Sequence, residues 1–343
     1  MVSIVVVGAG VIGLSAATHL LERFQRAVTV TIIADKFTPN TTASDKSGGI
    51  IVLPQIGESD KACGWAEDTL KRLETLYDPE KSSVNGITFF EGCTEMYKSS
   101  SLKGDLWRKI YKDYRIIDME SEWNEFRIPP LNEGHCFASF STYTVNCSLY
   151  LPWLLKRFKG LGGTTEERKI TNLSELAESY DIVINCTGLG ARELANDEQV
   201  YPVRGHMVSI SAPWIKQYLL LGQLKSSQNE RVYMIPQYGR VLIGGTYCRT
   251  EDDVGEEDSV IFEKIIKRCK EVIPSISDAS IIEKWVGIRP LRKGGTRLEK
   301  EELPHGSGLL VHCYGHGHFG VSLSWGCAEE IGNIVEASIK LKN

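Results

Sequence analysis

The chain has 343 residues, a formal net charge of −5 at pH 7, and 42% hydrophobic and 24% charged residues. These values predict a globular protein of one large domain or two interleaved domains. The chain has no block of like charges and no apolar run of the roughly 20 residues that span a membrane, which argues against nucleic-acid and membrane partners. Nine scattered cysteines lack metal-binding spacing, so we expect reduced thiols, a reducing compartment and no metal site.

The first predicted element is a βαβ unit. A β-branched run at residues 4–7, an apolar helical pattern from residue 11 and a second β-branched run at 28–33 follow one another. The turn between strand and helix reads Gly8-Ala9-Gly10-Val11-Ile12-Gly13. Its glycines permit a tight turn, close approach of a pyrophosphate and close packing of helix on strand. Asp35 ends the second strand, 22 positions after Gly13, where an acid binds ribose hydroxyls, so the unit predicts a dinucleotide cofactor.

The later elements decide between NAD and FAD. In chain order the sequence predicts helices near 60–77, 149–158, 258–273 and 325–339, strands at 181–185, 281–289 and 309–312, and antiparallel strands between 205 and 247. Glycine-rich turns follow two of the strands, at residues 188–190 and 315–320. A nicotinamide dehydrogenase usually keeps its cofactor domain contiguous, whereas these segments are spread along the whole chain. This spread favours FAD.

Several motifs together resemble the D-amino-acid oxidase and D-aspartate oxidase family over nearly the whole chain. They are the residue 8–15 turn, Ala34-Asp35-Lys36-Phe37-Thr38-Pro39, Asn185-Cys186-Thr187-Gly188-Leu189-Gly190, Pro202-Val203-Arg204-Gly205, Gly244-Gly245-Thr246-Tyr247, Val286-Gly287-Ile288-Arg289-Pro290 and Tyr314-Gly315-His316-Gly317. The resemblance implies an α/β fold with a Rossmann-like FAD-binding domain assembled from discontinuous segments, which we place at residues 1–55, 140–200 and 285–343. It also implies an α+β substrate domain with an antiparallel sheet, placed at 56–139 and 201–284.

The resemblance also implies a reaction. In this family a D-amino acid loses its Cα hydrogen as a hydride to flavin N5, and the imino acid hydrolyses to a 2-oxo acid and ammonia. The reduced flavin passes its electrons to O2 and gives H2O2. Such chemistry needs orientation and a desolvated pocket rather than a general base. The sequence shows no Ser/His/Asp or Cys/His constellation, in agreement with this expectation.

Four residues match the family's substrate-binding positions. Arg289 matches the arginine that holds the substrate carboxylate by two charge-assisted hydrogen bonds. Tyr233 matches the tyrosine that donates to the same carboxylate, and Tyr247 resembles a second active-site tyrosine. His318 departs from the small residues of relatives, but its carbonyl is expected to accept from the substrate amine. The alternatives are a structural ion pair for Arg289 and a core-facing strand aromatic for Tyr247.

The expected FAD-binding residues fall into three groups along the chain. They are the turn Gly8, Ala9, Gly10, Val11, Ile12 and Gly13, the segment Asp35, Lys36, Thr41, Thr42, Gly48 and Gly49, and the later positions Ile170, Gly188, Gly317, His318, Gly320, Val321 and Ser322. Ser322 matches a residue that binds the pyrimidine side of the flavin ring. The helix after Gly320 would present its positive end to negative charge developing on that ring.

The sequence does not decide whether the enzyme prefers substrates with acidic or with neutral side chains. Animal D-aspartate oxidases place an arginine where this chain has Tyr247, and the lid segment 215–232 carries Asn229 near the place of a lid tyrosine. Four other residues could replace that arginine in binding an acidic substrate side chain: Arg231, Lys225, Arg249 and His318. We expect a broad or neutral D-amino-acid preference, with D-aspartate oxidation as the alternative. More distant alternatives are a glycine or amine oxidase, a flavin dehydrogenase, or a binding protein without activity.

The sequence contains the least information on the cellular compartment and on the oligomeric state. Relatives are often peroxisomal through a C-terminal Ser-Lys-Leu type signal, whereas this chain ends Lys340-Leu341-Lys342-Asn343. With no signal peptide either, the expectation is the cytoplasm, and the peroxisome follows only from resemblance. The expected partners are a small D-amino acid and O2, and a homodimer is compatible with the sequence.

Overall fold

The computed structural model describes residues 1–38, 42–52, 60–98, 108–117, 135–221, 230–249, 257–302 and 308–342. Its strands are β1 (Val2–Val7), β2 (Val28–Ala34), β3 (Ile87–Lys98), β4 (Lys112–Ile117), β5 (His135–Val145), β6 (Thr164–Glu167), β7 (Ile182–Asn185), β8 (Val200–Ser211), β9 (Leu219–Leu221), β10 (Glu230–Gln237), β11 (Arg240–Thr246), β12 (Cys248–Arg249), β13 (Ser280–Arg292), β14 (Arg297–Glu302) and β15 (Leu309–Tyr314). Its helices are α1 (Val11–Phe24), α2 (Asp60–Leu76), α3 (Ser82–Asn85), α4 (Cys147–Gly160), α5 (Ala191–Leu194), α6 (Asp258–Val272) and α7 (Gly320–Lys342). None of the helices in these ranges is long and apolar enough to cross a membrane.

The chain divides into two compact units. Unit 1 consists of Met1–Leu76, Cys147–Pro202 and Arg289–Asn343, and unit 2 of Tyr77–Asn146 and Val203–Ile288. Each unit has its own sheet, mostly parallel in unit 1 and mostly antiparallel in unit 2. A discontinuous α/β domain with an antiparallel α+β domain is the fold class that the sequence predicts, and it is confirmed.

The sheet of unit 1 is built around β1. Within the described residues its six strands have the order β14-β15-β7-β1-β2-β6. Strands β15, β7, β1, β2 and β6 run parallel, and β14 pairs antiparallel with β15. Ile4, Val5 and Val6 of β1 are fully buried. Burial on both faces explains why this strand is a continuous apolar run rather than an alternating one.

The sheet of unit 2 packs one face on α6. Within the described residues its nine strands include the antiparallel series β8-β11-β10-β9. Val232 and Met234 of β10 join Val241 and Ile243 of β11 and Ile265 of α6 in one apolar core. Because side chains of a strand alternate between its faces, the residue between the first two points away from this core. That residue is Tyr233.

The position of α2 corrects one predicted boundary. We expected residues 56–139 in the substrate domain, but α2 belongs to unit 1. The hydroxyl of Thr69 accepts hydrogen bonds from the backbone N–H groups of Trp325 and Gly326, both at 3.1 Å. The apolar stripe of α2 predicts a buried face but does not specify its partner. That partner is α7.

Gly326 permits the close approach of these two helices. A Cβ there would lie under 3.0 Å from the Trp65 backbone, a distance that real Cβ atoms essentially never show. We therefore expect Gly326→Ala to lower the free energy of unfolding by about 3 kcal/mol, measured by chemical denaturation. Gly64→Ala, on the exposed face of α2 with no atom near the added methyl, is the control and should stabilise slightly. Equal stability of the two variants would contradict the packing argument.

Candidate functional site

The turn between β1 and α1 leaves no room for side chains at two glycines. Gly8 has φ of +111°, and a Cβ there would overlap the carbonyl oxygen of Cys186. A Cβ on Gly13 would overlap the carbonyl oxygen of Gly8. The first glycine thus permits the turn and the third permits helix-on-strand packing, as the sequence predicts. The start of α1, with its free N–H groups and positive dipole end, fits the pyrophosphate of a dinucleotide.

Ser44 completes this turn and was not predicted. Its hydroxyl accepts the backbone N–H of Val11 at 3.0 Å, and a Cβ on Gly10 would lie 3.2 Å from the same oxygen. Ser44 therefore lies at the first turn of α1, directly against the backbone of Gly10. Ser44 is far from α1 in sequence, so its role could not be inferred from the motif of the turn. It does lie between Thr42 and Gly48, which were predicted to bind the cofactor, and this position could have indicated it.

A buried carboxylate organises the segment that follows β2. Asp45 is 2% exposed, and it accepts the Thr38 hydroxyl at 2.6 Å, the Thr42 N–H at 2.9 Å and the Thr42 hydroxyl at 2.8 Å. The predicted cofactor residue Thr42 thus donates its hydroxyl to Asp45. Thr41 lies outside the described residues. Asp35 and Lys36, which directly follow β2, are exposed and available to a ligand.

Asp45→Asn should loosen this segment. The amide nitrogen cannot accept from the threonines, so the change removes buried acceptors at a cost of about 2 kcal/mol. We expect FAD to dissociate with a Kd about tenfold higher, as titration of the apoprotein followed by flavin fluorescence would measure. Asp278→Asn, at an exposed position, is the control. An unchanged Kd in Asp45→Asn would show that the segment is ordered without the carboxylate.

The start of α7 is earlier than predicted. The sequence suggests a helix from about residue 325, but α7 begins at Gly320, so Gly320, Val321 and Ser322 form its first turn. The Ser322 hydroxyl donates to the carbonyl of Ile50 and accepts the N–H of Val52, both at 3.2 Å. Its side chain therefore ties the segment after Gly49 to the helix start, and its one O–H donor is already used in doing so.

Two turns of unit 1, at Gly188 and at Gly317, lie against β13. The N–H of Gly317 donates to the carbonyl of Pro290 at 2.9 Å, which brings the turn next to Arg289 on β13. Arg289 is half-buried, whereas His318 is exposed and its ring contacts that of Phe319 at a tilt of 45°, with centroids 4.0 Å apart. Gly188 also lies near this strand, since a Cβ there would be 3.8 Å from the Pro290 ring. The structure thus groups three residues that the sequence assigned to substrate or cofactor: Arg289, Gly317 and Gly188.

The remaining predicted cofactor residues of unit 1 differ in exposure. Gly49 is buried with φ of +62°, and Gly48 beside it is half-buried. Ile170 is 7% exposed and packs with Val5 and Leu173 in an apolar core cluster. Its contacts are those of a core residue, so any role toward a cofactor rests on its backbone or on the edge of its side chain.

A buried thiol–imidazole cluster includes His316, a residue of the glycine-rich turn at 315–320. Within the described residues, the ligand atoms of Cys313, His316 and Cys327 lie within 4.8 Å of one another. The sulfurs are 3.7 Å and 3.5 Å from His316 Nε2, consistent with S–H···N hydrogen bonds. Burial raises the pKa of the Cys313 thiol and lowers the pKa of His316 to about 3. Cys313 and His316 are therefore held in their neutral forms, and the spacing of the three residues in sequence does not reveal the cluster.

His316 makes the stability of unit 1 depend on pH. Its folded-state pKa lies below the ordinary value of 6.5, so the unfolded chain binds the proton more tightly. Stability is complete above pH 6.5 and is lost as the pH falls toward 3. We expect the free energy of unfolding to drop by about 3 kcal/mol through this group between pH 7 and pH 4. Denaturation at several pH values should show a shallower loss in His316→Gln; an identical slope would contradict the assignment.

The predicted substrate residues of unit 2 lie on adjoining strands. Tyr233 is 9% exposed, and a Cβ on Gly244 or Gly245 would lie under 3.0 Å from its ring or hydroxyl. The two glycines of β11 thus make room for this ring on the face opposite the α6 core. Tyr247 follows β11 and is half-buried, with the Arg231 guanidinium carbon 5.6 Å from its ring centroid. Of the other suggested residues, Arg249 is in β12, whereas Lys225 and Asn229 lie outside the described residues.

Comparison with known proteins shows which family this chain resembles in sequence and in fold. A family model named DAO, FAD dependent oxidoreductase, matches residues 3–334. The chain is 34% identical to a D-aspartate oxidase of Homo sapiens, over 98% of this chain and 95% of that protein. It is 35% identical to a D-amino-acid oxidase of Streptomyces coelicolor, over 95% and 94% respectively. In fold it is similar to a glycine oxidase from Bacillus cereus, with a TM-score of 0.73 and 18% identity over 98% of this chain and 96% of that one.

Proposed function

Since the chain belongs to the DAO family of FAD-dependent oxidoreductases, we propose that it oxidises a D-amino acid to a 2-oxo acid, ammonia and H2O2. FAD is the cofactor of this family. The observation that carries the proposal is the turn Gly8–Gly13 at the start of α1, where Gly8 and Gly13 leave no room for a Cβ, in a chain whose relatives over nearly its full length are named as oxidases of D-amino acids.

We assign the residues around this turn to the adenosine and pyrophosphate end of FAD. The backbone of Gly8, Ala9, Gly10, Val11, Ile12 and Gly13 holds the phosphates, together with Ser44. Asp35 and Lys36 serve the ribose and adenine, and Thr41, Thr42, Gly48, Gly49, Ile170 and Gly188 retain the roles that the sequence suggests. Asp45 holds Thr42, one of these residues, by two hydrogen bonds, and it holds Thr38 by a third.

We assign the flavin end to the start of α7. The backbone of Gly317, His318, Gly320, Val321 and Ser322 is suited to donate to a flat, electron-accepting ring. The N-terminus of this 23-residue helix carries a partial positive charge that stabilises negative charge nearby. The chemistry that FAD supplies when bound is acceptance of a hydride from the substrate Cα and delivery of the electron pair to O2.

The substrate is positioned by charge and by hydrogen bonds. Arg289 binds the substrate carboxylate through its planar guanidinium, and the hydroxyl of Tyr233 donates to the same group. The carbonyl of His318 accepts from the substrate amine, which orients the Cα–H bond. No side chain has to remove this hydrogen as a proton, because it departs with its electron pair. These residues therefore act by orientation and by exclusion of water.

A substrate panel tests the proposal. Purified protein should be yellow, and it should release H2O2 from D-alanine or D-aspartate but not from the L-isomers. Glycine belongs in the panel, because the fold is shared with glycine oxidases. A colourless protein that takes up no FAD, or a flavoprotein that oxidises no D-amino acid, would overturn the proposal. Reduction of an artificial dye without peroxide would instead indicate a dehydrogenase.

A further inference from the structure

A cation and an aromatic ring lie together at one end of the β10–β11 pair. The Arg231 guanidinium carbon is 5.6 Å from the centroid of the Tyr247 ring, and both residues are half-buried. At this distance the negative face of the ring attracts the guanidinium. The ring also restricts the orientations that the arginine side chain adopts, and it covers part of the cation from water.

The Arg231 side chain lacks an anionic partner within the described residues. Its Nε is buried and has no hydrogen-bond acceptor there, and none of the ion pairs formed by these residues includes Arg231. A buried guanidinium N–H without an acceptor is unfavourable by the free energy of its desolvation. A ligand that supplies carboxylate oxygens would remove this cost.

The backbone around Arg231 is held in place by a second cation. Arg268 of α6 donates from Nη2 to the carbonyl of Arg231 at 3.0 Å and to that of Gly245 at 3.2 Å. The β10–β11 register shifts between Glu230 and Tyr233, so Arg231 lies in a β-bulge. Bulges redirect side chains and occur often beside active sites. The position of Arg231 is therefore set by the fold rather than by the side chain's own contacts.

We propose that Arg231, supported by the Tyr247 ring, binds the side-chain carboxylate of the substrate, so that acidic D-amino acids are preferred. The inference rests on the proposed function, since Tyr233, assigned there to the substrate, is two residues further along β10. It replaces the neutral preference expected from sequence. An arginine suits this role because its planar N–H groups match the two oxygens of a carboxylate.

Pairs of acid and amide substrates isolate this contact. D-aspartate and D-asparagine have nearly the same shape but differ in the charge that Arg231 would bind, as do D-glutamate and D-glutamine. We expect kcat/KM for D-aspartate to exceed that for D-asparagine about 100-fold, and Arg231→Gln to remove most of this ratio by lowering the D-aspartate value alone. Arg231→Lys, which keeps the charge but loses the planar fork, should retain part of the ratio. Lys267→Gln, at an exposed site of α6 in unit 2, is the control for loss of one positive charge.

A binding measurement covers the case in which Arg231→Gln does not fold. Succinate and butanoate differ by one carboxylate, and succinate should raise the melting temperature of the wild-type holoenzyme while butanoate raises it less. Tyr247→Leu, which removes the ring but keeps Arg231, should narrow this difference. An unchanged D-aspartate to D-asparagine ratio in Arg231→Gln overturns the inference, as does equal stabilisation by succinate and butanoate. Turnover of D-alanine then shows that the proposed function survives, whereas its failure on every D-amino acid shows that the function itself is wrong.

Discussion

Gly13→Ala is expected to yield a protein that binds no FAD and is strongly destabilised. The added methyl would overlap the carbonyl oxygen of Gly8 and lie 3.4 Å from the Cys186 side chain. Neither the carbonyl nor the turn can move without separating α1 from the sheet, so the loss should exceed about 3 kcal/mol. Flavin content after purification and the midpoint of chemical denaturation are the measurements.

Gly160→Ala is the matched control for this change. Gly160 is the last residue of α4 and is exposed, and an added Cβ would have no atom within 4 Å. It should keep its flavin and its stability. If Gly13→Ala also retained a full complement of FAD, the close packing of α1 would not be what builds the phosphate site.

Arg289→Leu should produce the largest loss of activity among variants that still fold. Removing the partner of a substrate carboxylate sacrifices a bidentate, charge-assisted contact, for which about a 1000-fold fall in kcat/KM is expected. Most of the change should appear in KM, because the contact is present in the bound substrate as well as in the transition state. Steady-state peroxide production over a wide range of D-amino-acid concentration measures it.

Two further variants separate charge from geometry at this position. Arg289→Lys keeps the charge without the planar fork, so it should recover part of the activity. Arg26→Leu removes an exposed arginine and should behave as the wild type does. Unchanged kinetics in Arg289→Leu, with flavin still bound, would refute the carboxylate assignment and would leave the structural ion pair as the role of Arg289.

Local patterns in the sequence were enough to predict the βαβ unit. Its strand, its glycine turn and Asp35 follow one another within a short stretch, and the reason for each glycine is a backbone contact inside that stretch or next to it. The start of α7 was placed too late because Gly320, Ser322 and Ser324 interrupt the apolar periodicity on which helix prediction depends. Polar residues at a helix start are expected of a ligand site, and this segment is the one that we propose to hold the flavin.

Contacts between segments that are distant in sequence could not be predicted from the sequence. An apolar stripe told us that α2 is buried but not that it packs on α7. The cluster of Cys313, His316 and Cys327 requires a turn and a helix to meet, and the acceptor roles of Ser44 and Asp45 require a loop to fold back on α1 and on itself. The Arg231–Tyr247 pair likewise depends on a strand register that no spacing shows.

The order of strands in unit 1 has a consequence for how the protein is made. Strand β7 lies between β1 and β15, and its parallel register with β15 places Ile182 opposite Leu309 and Asn185 opposite His312. On the ribosome, the edge of β7 that faces β15 therefore stays unpaired while more than a hundred intervening residues are synthesised. Such edges pair readily with other chains. The nascent protein thus passes through an aggregation-prone stage that ends only when its last strand arrives, and a chain interrupted before that strand would never leave it.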